Sequence, residues 1–328
     1  MKGNHAMLKK IVIRTVALVA AVCIGALSLS ACGLWNWLWE RDYGDTLGTD
    51  DLFIGNNGME SETLFEGAVP YEGVGSAHGG TDIYYLGKEG SPNQHRIIVI
   101  DPGHQIRGSS EKEPNGPGSE DMKAEVTWGA TGKYTGQTEY ELNLQVALLL
   151  RDELIKRGYS VVMIRETNAV NISNMERAQI ANKYKADAYV RIHANGYDDE
   201  TMKGAMTICQ SRNNPYADCV AHYEESRQLS SYVLDHFCEQ TGMTKLSVRE
   251  MDNMTGTNWS QVPTTIVEMG FLSNKLDDQL MLTEFFRYKA ASGIADGLDR
   301  YFVWVEEQEN PAEDTLPDAD AASSESAQ

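Results

Sequence analysis

Between residues 96 and 302 short apolar runs alternate with longer amphipathic stretches, and this alternation restricts the fold more than any other feature of the chain. Ile97-Ile98-Val99-Ile100 is a compact apolar run closed by Asp101-Pro102-Gly103, the pattern of a buried strand running into a turn. Residues 141–157 carry Leu142, Val146, Leu149 and Leu150 on one helical stripe, and Gly158 stops them. Residues 159–164 read as the next strand. Ser173-Asn174-Met175-Glu176 has the form of a capping box, in which Ser and Glu exchange hydrogen bonds with each other's backbone N–H, and it opens a helix through Lys185. Residues 188–193, 205–209 and 264–268 read as strands, and 221–241 and 284–302 as helices. Strands separated by helices need a sheet covered on both faces. The expected fold is one α/β domain over 96–305, with a central twisted, mostly parallel or mixed sheet and helices on both sides.

The flanks differ in kind. The chain has a formal net charge of −20, concentrated outside this domain: residues 306–328 hold eight acids and no base, and 40–95 hold eleven acids against Arg41 and Lys88. A chain so acidic is a poor partner for nucleic acid. At the N-terminus Lys2, Lys9, Lys10 and Arg14 precede an apolar run over 16–29, too short for a membrane span and suited to a signal peptide. The run ends in Leu29-Ser30-Ala31-Cys32, which resembles the lipobox of bacterial lipoproteins. That resemblance implies cleavage of residues 1–31 and diacylation of Cys32, and two acyl chains suffice for stable membrane anchoring; the other reading is an uncleaved anchor. Residues 32–95 show no sustained period and read as an acidic spacer, with Trp35, Trp37 and Trp39 near the lipid site. Residues 306–328 read as a disordered acidic tail. Cys209, Cys219 and Cys238 remain in the domain, and either a Cys209–Cys219 disulfide or three buried thiols is compatible with export.

Three of the expected strands run into residues able to bind metal or move a proton. Ile97–100 leads to His104, 188–192 leads to His193-Ala194-Asn195, and 265–267 leads to Glu268. Glu139 and Glu141 both sit where the long helix begins. Catalytic groups of open α/β sheets gather beyond the carboxyl ends of strands, so these residues can share a location. Two imidazoles and one carboxylate form a standard open zinc set, and a further carboxylate can act as general base and acid. Spacing alone leaves Glu139 and Glu141 as rivals, since either favours a helix N-terminus. His222 and His236 fall on an expected helix and read as packing or surface groups.

Four motifs in order, Val99-Ile100-Asp101-Pro102-Gly103-His104, Glu139-Tyr140-Glu141-Leu142-Asn143-Leu144, Arg191-Ile192-His193-Ala194-Asn195 and Val267-Glu268-Met269-Gly270-Phe271-Leu272-Ser273-Asn274, resemble those of the zinc-dependent N-acetylmuramoyl-L-alanine amidases of the type 3 family. The resemblance covers about 96–302. It implies one Zn2+ held by His104, Glu139 and His193, with Glu268 as the catalytic carboxylate; Glu139 rather than Glu141 matches the family's ligand. It implies peptidoglycan as substrate, at the extracellular face of a bacterial cytoplasmic membrane or in the cell wall. Arg165 and Arg177 match family arginines and read as structural. Arg191 departs from the family, where Ser is common two residues before the second His. The excursion 105–138 either covers the cleft or reads the glycan. Two alternatives remain: a zinc peptidase acting within the stem peptide, and a non-catalytic peptidoglycan-binding lipoprotein on the same scaffold.

Overall fold

The computed structural model describes residues 70–72 and 82–310. The signal peptide expected over 1–31, Cys32, most of the 32–95 spacer and the part of the tail beyond Asn310 lie outside the described residues. In chain order the elements are β1 (Pro70–Glu72), β2 (Ile83–Tyr85), β3 (Ile97–Pro102), β4 (Lys112–Pro114), β5 (Met122–Ala124), α1 (Glu139–Lys156), β6 (Ser160–Met163), α2 (Asn174–Lys183), β7 (Ala188–Asn195), β8 (Ala205–Cys209), α3 (Ala217–Val220), α4 (Tyr223–Thr241), β9 (Lys245–Glu250), α5 (Thr255–Asn258), β10 (Thr264–Phe271), α6 (Lys275–Met281) and α7 (Glu284–Glu309).

The alternation read from the sequence becomes two packed faces of one mixed sheet, ordered β1-β2-β6-β3-β7-β10-β8-β9. Its centre, β6-β3-β7-β10, is parallel, β8 runs antiparallel to β10, and β9 runs parallel to β8. Because side chains alternate along a strand, Ile98, Ile100, Val161, Met163, Val190 and Ile192 face one way. They meet Leu142, Val146 and Leu150 of α1, Leu229 and Phe237 of α4, and Phe286, Ile294 and Leu298 of α7. Val99, Val162, Ile164 and Tyr189 face the other way, onto Ala178 and Ala181 of α2. Burying each such aliphatic or aromatic side chain contributes about 1.5–3 kcal/mol. The capping box at Ser173 forms as expected, with both reciprocal bonds present.

Several elements escaped the sequence. β1 and β2 draw part of the presumed spacer into the sheet, upstream of residue 96; strands of three residues are too short to display a period. β9 is a largely exposed edge strand whose apolar alternation is only two residues long, Leu246 and Val248. α6 starts where the Asn274 side chain accepts the N–H groups of Leu276 and Asp277, a cap without an apolar stripe. α7 continues to Glu309, past the expected end at 302. Cys209 and Cys219 are buried free thiols, so the disulfide reading is set aside; burial pushes the Cys209 thiol up to about 11 and the Cys219 thiol to about 12. Among the described residues no helix is long and apolar enough to cross a membrane.

Candidate metal centre

Parallel strands joined by helices end on one edge of the sheet, and there the predicted residues meet. β3 ends in the Asp101-Pro102-Gly103 turn that presents His104, β7 carries His193, and β10 carries Glu268, the register partner of His193. Glu139 is the buried first residue of α1. Its Oε1 lies 3.0 Å from His104 Nε2 and 3.2 Å from His193 Nδ1, and it accepts the N–H of Ala194 at 3.1 Å. Its Oε2 accepts the N–H of Ala130 at 2.7 Å. Donor atoms of His104, Glu139 and His193 lie within 4.8 Å of one another, and no other such group of three occurs among the described residues. Glu141 points elsewhere and accepts from Thr138 Oγ1 at 2.8 Å.

The electrostatics prepare these groups for a cation. Burial alone would raise the Glu139 pKa, but the imidazoles of His104 and His193 outweigh it and hold the carboxylate well below its usual range. Burial pushes His193 down to about 4, a shift that Glu139 only partly offsets, so its ring is neutral near pH 7 and its lone pair is available. His193 Nε2 is buried and has no partner among the described residues. His104 Nδ1 lies 3.0 Å from the carbonyl oxygen of Thr127; a proton on Nδ1 would leave Nε2 free to bind metal. An anionic carboxylate, a second imidazole beside it and the orphaned, neutral ring of His193 fit a bound metal ion. Glu268 stands apart from this trio electrically. Burial, then the charge of Glu139, pushes its pKa up to about 8, and its Oε2 has no partner.

The turn behind the site is gripped by two buried guanidiniums. Arg165 donates to the carbonyls of Pro102 at 2.8 Å, Gly103 at 3.0 Å and Tyr140 at 2.9 Å. Arg177 donates to those of Pro102 at 3.0 Å and His104 at 3.1 Å. This over-determination holds His104 at a φ of 59°, a conformation that non-glycine residues adopt rarely. Arg177 also pairs with Asp101 at 2.6 Å, and Asp101 pairs with Arg191 at 2.8 Å across the β3–β7 register. Arg191 therefore points away from the candidate trio, into the face opposite α1. Asn143, one turn into α1, donates to the carbonyl of Gly103 at 3.2 Å.

The excursion 105–138 divides in two. Its β4–β5 hairpin packs on α2 and α5: Glu113 accepts the N–H of Met175 at 3.0 Å, and Trp259 Nε1 donates to the Pro114 carbonyl at 2.9 Å. Its later part, Thr127 to Ala130, forms one wall of a 380 Å³ cavity over His104, Glu139, His193 and Glu268. Sequence reasoning missed Trp128 at this wall, the Ala130 N–H, and the pairing of Asp101 with Arg191. Trp128 is a lone aromatic among glycines and polar residues, and the other two depend on contacts between distant segments.

Residues 98–300 match the model of a family described as N-acetylmuramoyl-L-alanine amidase. The chain is 24% identical over 247 residues to N-acetylmuramoyl-L-alanine amidase AmiA of Escherichia coli (strain K12), covering 65% of this chain and 78% of that one. It is 24% identical over 225 residues to the germination-specific N-acetylmuramoyl-L-alanine amidase of Bacillus subtilis (strain 168), covering 65% and 82%. Among solved structures it is similar to the N-acetylmuramyl-L-alanine amidase Ami1 from Mycobacterium smegmatis, with a TM-score of 0.57, 25% identity, and coverage of 64% of this chain and 98% of that one.

Proposed function

The chain belongs to the N-acetylmuramoyl-L-alanine amidase family, and on that premise we propose that it hydrolyses the amide joining the lactyl carboxyl of N-acetylmuramic acid to L-alanine in peptidoglycan. His104, Glu139 and His193 are assigned to hold one Zn2+, because two imidazoles and a carboxylate are a donor set suited to that ion. Zinc held there supplies Lewis acidity, polarising a carbonyl oxygen and making a water acidic near neutral pH. Glu268 is assigned the general base: a cation held on the trio would offset the Glu139 charge that helps raise its pKa, leaving the unpartnered Oε2 able to take a proton from the attacking water. It then returns that proton to the alanine nitrogen as the C–N bond breaks. Arg165, Arg177 and Asn143 fix the turn that carries His104, so the imidazole needs no reorganisation when substrate arrives.

What carries this reading is the position of Glu268, a half-buried carboxylate beside His193 in register and next to the trio, within an amidase-family domain. The test is a digest of purified muropeptides by the metal-loaded protein, read by mass spectrometry. The expected products are glycan with a free lactyl carboxyl and peptide with a free L-alanine amine. Cleavage only within the peptide would refute the assignment. Glu268→Ala is expected to keep its zinc and lose nearly all turnover.

The proposal extends to the ends of the chain. Residues 1–31 are removed as a signal peptide, and Cys32 carries the lipid anchor. The 32–95 spacer, which contributes β1 and β2 to the sheet, leads to the catalytic domain at 96–305 on the outer face of the cytoplasmic membrane; 306–328 follows as an acidic segment whose first residues, to Glu309, extend α7. Cys32→Ser is expected to move the protein from the membrane fraction to the soluble one; continued sedimentation with membranes would favour an uncleaved anchor.

A further inference from the structure

Two adjoining cavities open at the metal-competent trio. The first, over the trio, has Trp128 at its wall. The second, of 490 Å³, is lined by Ala130, Lys133, Tyr197, Asp198 and Ser273. They join where Ala130 and Gly196 approach each other: a Cβ on Gly196 would lie 3.1 Å from that of Ala130.

Trp128 is 65% exposed and Tyr197 is 61% exposed, which is unusual for side chains whose burial would stabilise the fold. Exposed aromatics in a cleft mark ligand contact. The Trp128 ring is also set in place. It rests on Gly108, where an added Cβ would come within 2.9 Å of its Cδ1. A ring held before binding loses little entropy on contact.

The sheet order gives these cavities a direction. β3, β7 and β10 are neighbours in that sequence, so His104, His193 and Glu268 lie in that order along the edge. Trp128 belongs to the His104 side, because the carbonyl of the preceding Thr127 contacts His104 Nδ1 at 3.0 Å. The second cavity reaches past the end of β10, the strand that carries Glu268. Ser273 lies just past β10, its Oγ accepts the N–H of Tyr197 at 3.2 Å, and the N–H of Lys133 donates to the Leu272 carbonyl at 3.0 Å.

Resting on the amidase reading, we infer that substrate crosses the centre in one polarity, its muramic sugar against Trp128 and its stem peptide in the cavity of Tyr197 and Ser273. The reason is the proton balance of the reaction. Water adds its hydroxyl to the carbonyl carbon, the C–N bond breaks, and the departing nitrogen takes its proton from Glu268. The nitrogen, and the peptide attached to it, must therefore lie on the Glu268 side. The acyl half, with its sugar, is left on the His104 side, where the flat indole offers a surface to the C–H face of a pyranose.

The test trims the substrate and the protein together. Wild type, Trp128→Ala and Tyr197→Ala are compared in steady-state KM on three soluble amides: an N-acetylmuramoyl tripeptide, the D-lactyl tripeptide that lacks the sugar, and N-acetylmuramoyl-L-alanine, which lacks the rest of the peptide. On the full substrate each variant is expected to raise KM about tenfold. Removing the sugar should cancel most of the Trp128→Ala penalty and leave that of Tyr197→Ala, and trimming the peptide should do the reverse. Trp128→Tyr should recover most of the wild-type KM, which separates lost stacking from a displaced His104. The interchanged pattern, or penalties indifferent to trimming, would overturn the polarity. A wild type that releases no amine from any of the three would instead strike the amidase reading itself.

Discussion

A single methyl group on Gly103 should disable the proposed metal centre from behind, without altering any of its three proposed ligands. Gly103 lies against the His193 imidazole, and an ideal Cβ there would sit 2.2 Å from Cε1, 2.4 Å from Nε2 and 2.6 Å from Nδ1. Carbon atoms in contact prefer about 3.5–4.0 Å, so ring or backbone must move by more than about 1 Å. The backbone is poorly able to move. The Gly103 N–H is bonded to the Ile192 carbonyl at 2.9 Å, and its own carbonyl is held by Arg165 at 3.0 Å and Asn143 at 3.2 Å. The ring is left to swing away from Glu139 Oε1, now 3.2 Å distant. A misplacement of about 1 Å at a reacting group costs about 100-fold in rate, and loss of ligand orientation weakens metal affinity by about 10–100-fold. Gly103→Ala is therefore expected to lower kcat/KM on a soluble muropeptide by about 100-fold and to weaken zinc in a chelator competition by at least about tenfold. Overpacking should destabilise the fold by only about 1–3 kcal/mol in a denaturant melt. Gly90→Ala is the control: its φ of 79° imposes backbone strain, yet a Cβ there meets no atom within 4 Å, so zinc affinity should hold. Zinc binding and turnover in Gly103→Ala within about threefold of wild type would refute the reasoning.

Three other perturbations separate metal chemistry from folding. Glu139→Ala is expected to abolish zinc binding, whereas Glu141→Ala should remove one exposed bond to Thr138 and change stability by less than about 1 kcal/mol; isothermal titration with zinc distinguishes them. Asp101→Asn leaves Arg177 and Arg191 buried without an anion and should cost about 3–5 kcal/mol in a urea melt at pH 7. Burial opposes the charge of Asp101, but the two arginines hold its pKa well below the usual range. Its contribution is thus complete above the unfolded value of about 3.9 and lost as pH falls toward the folded one; the wild type should lose stability on acidification through that window, and the variant much less. Glu268 has the opposite sign. Its folded pKa of about 8 exceeds the unfolded value of about 4.3, so its contribution is complete below the lower value and lost as pH rises through the upper. Metal-free Glu268→Gln should therefore match metal-free wild type at acidic pH and exceed it in melting temperature above pH 8.

The strands that carry the site were legible because their side chains report on two covered faces. Ile98 and Ile100 pack on α1 while Val99 packs toward α2, and a run apolar at every position is the signature of such burial. β9 and the pair β1–β2 were not legible, because an edge strand keeps one side in water and a strand of three residues has no room for a pattern. The same limit hid Trp128. Its role follows from standing on Gly108 beside His104, a proximity that no local spacing encodes.

His104, His193 and Glu268 could be drawn together from the sequence alone, since parallel strands linked by helices must end on one edge. The choice between Glu139 and Glu141 could not be drawn from local chemistry. Both lie in the first turn of α1, both suit its dipole, and both have the same donor atoms. At about 100° per residue, two positions along a helix turn a side chain to the opposite side of the axis. Tertiary packing then decides which of them meets the strand ends: the α1 face bearing Leu142, Val146 and Leu150 is buried on the sheet, Glu139 comes to the imidazoles, and Glu141 is left in solvent.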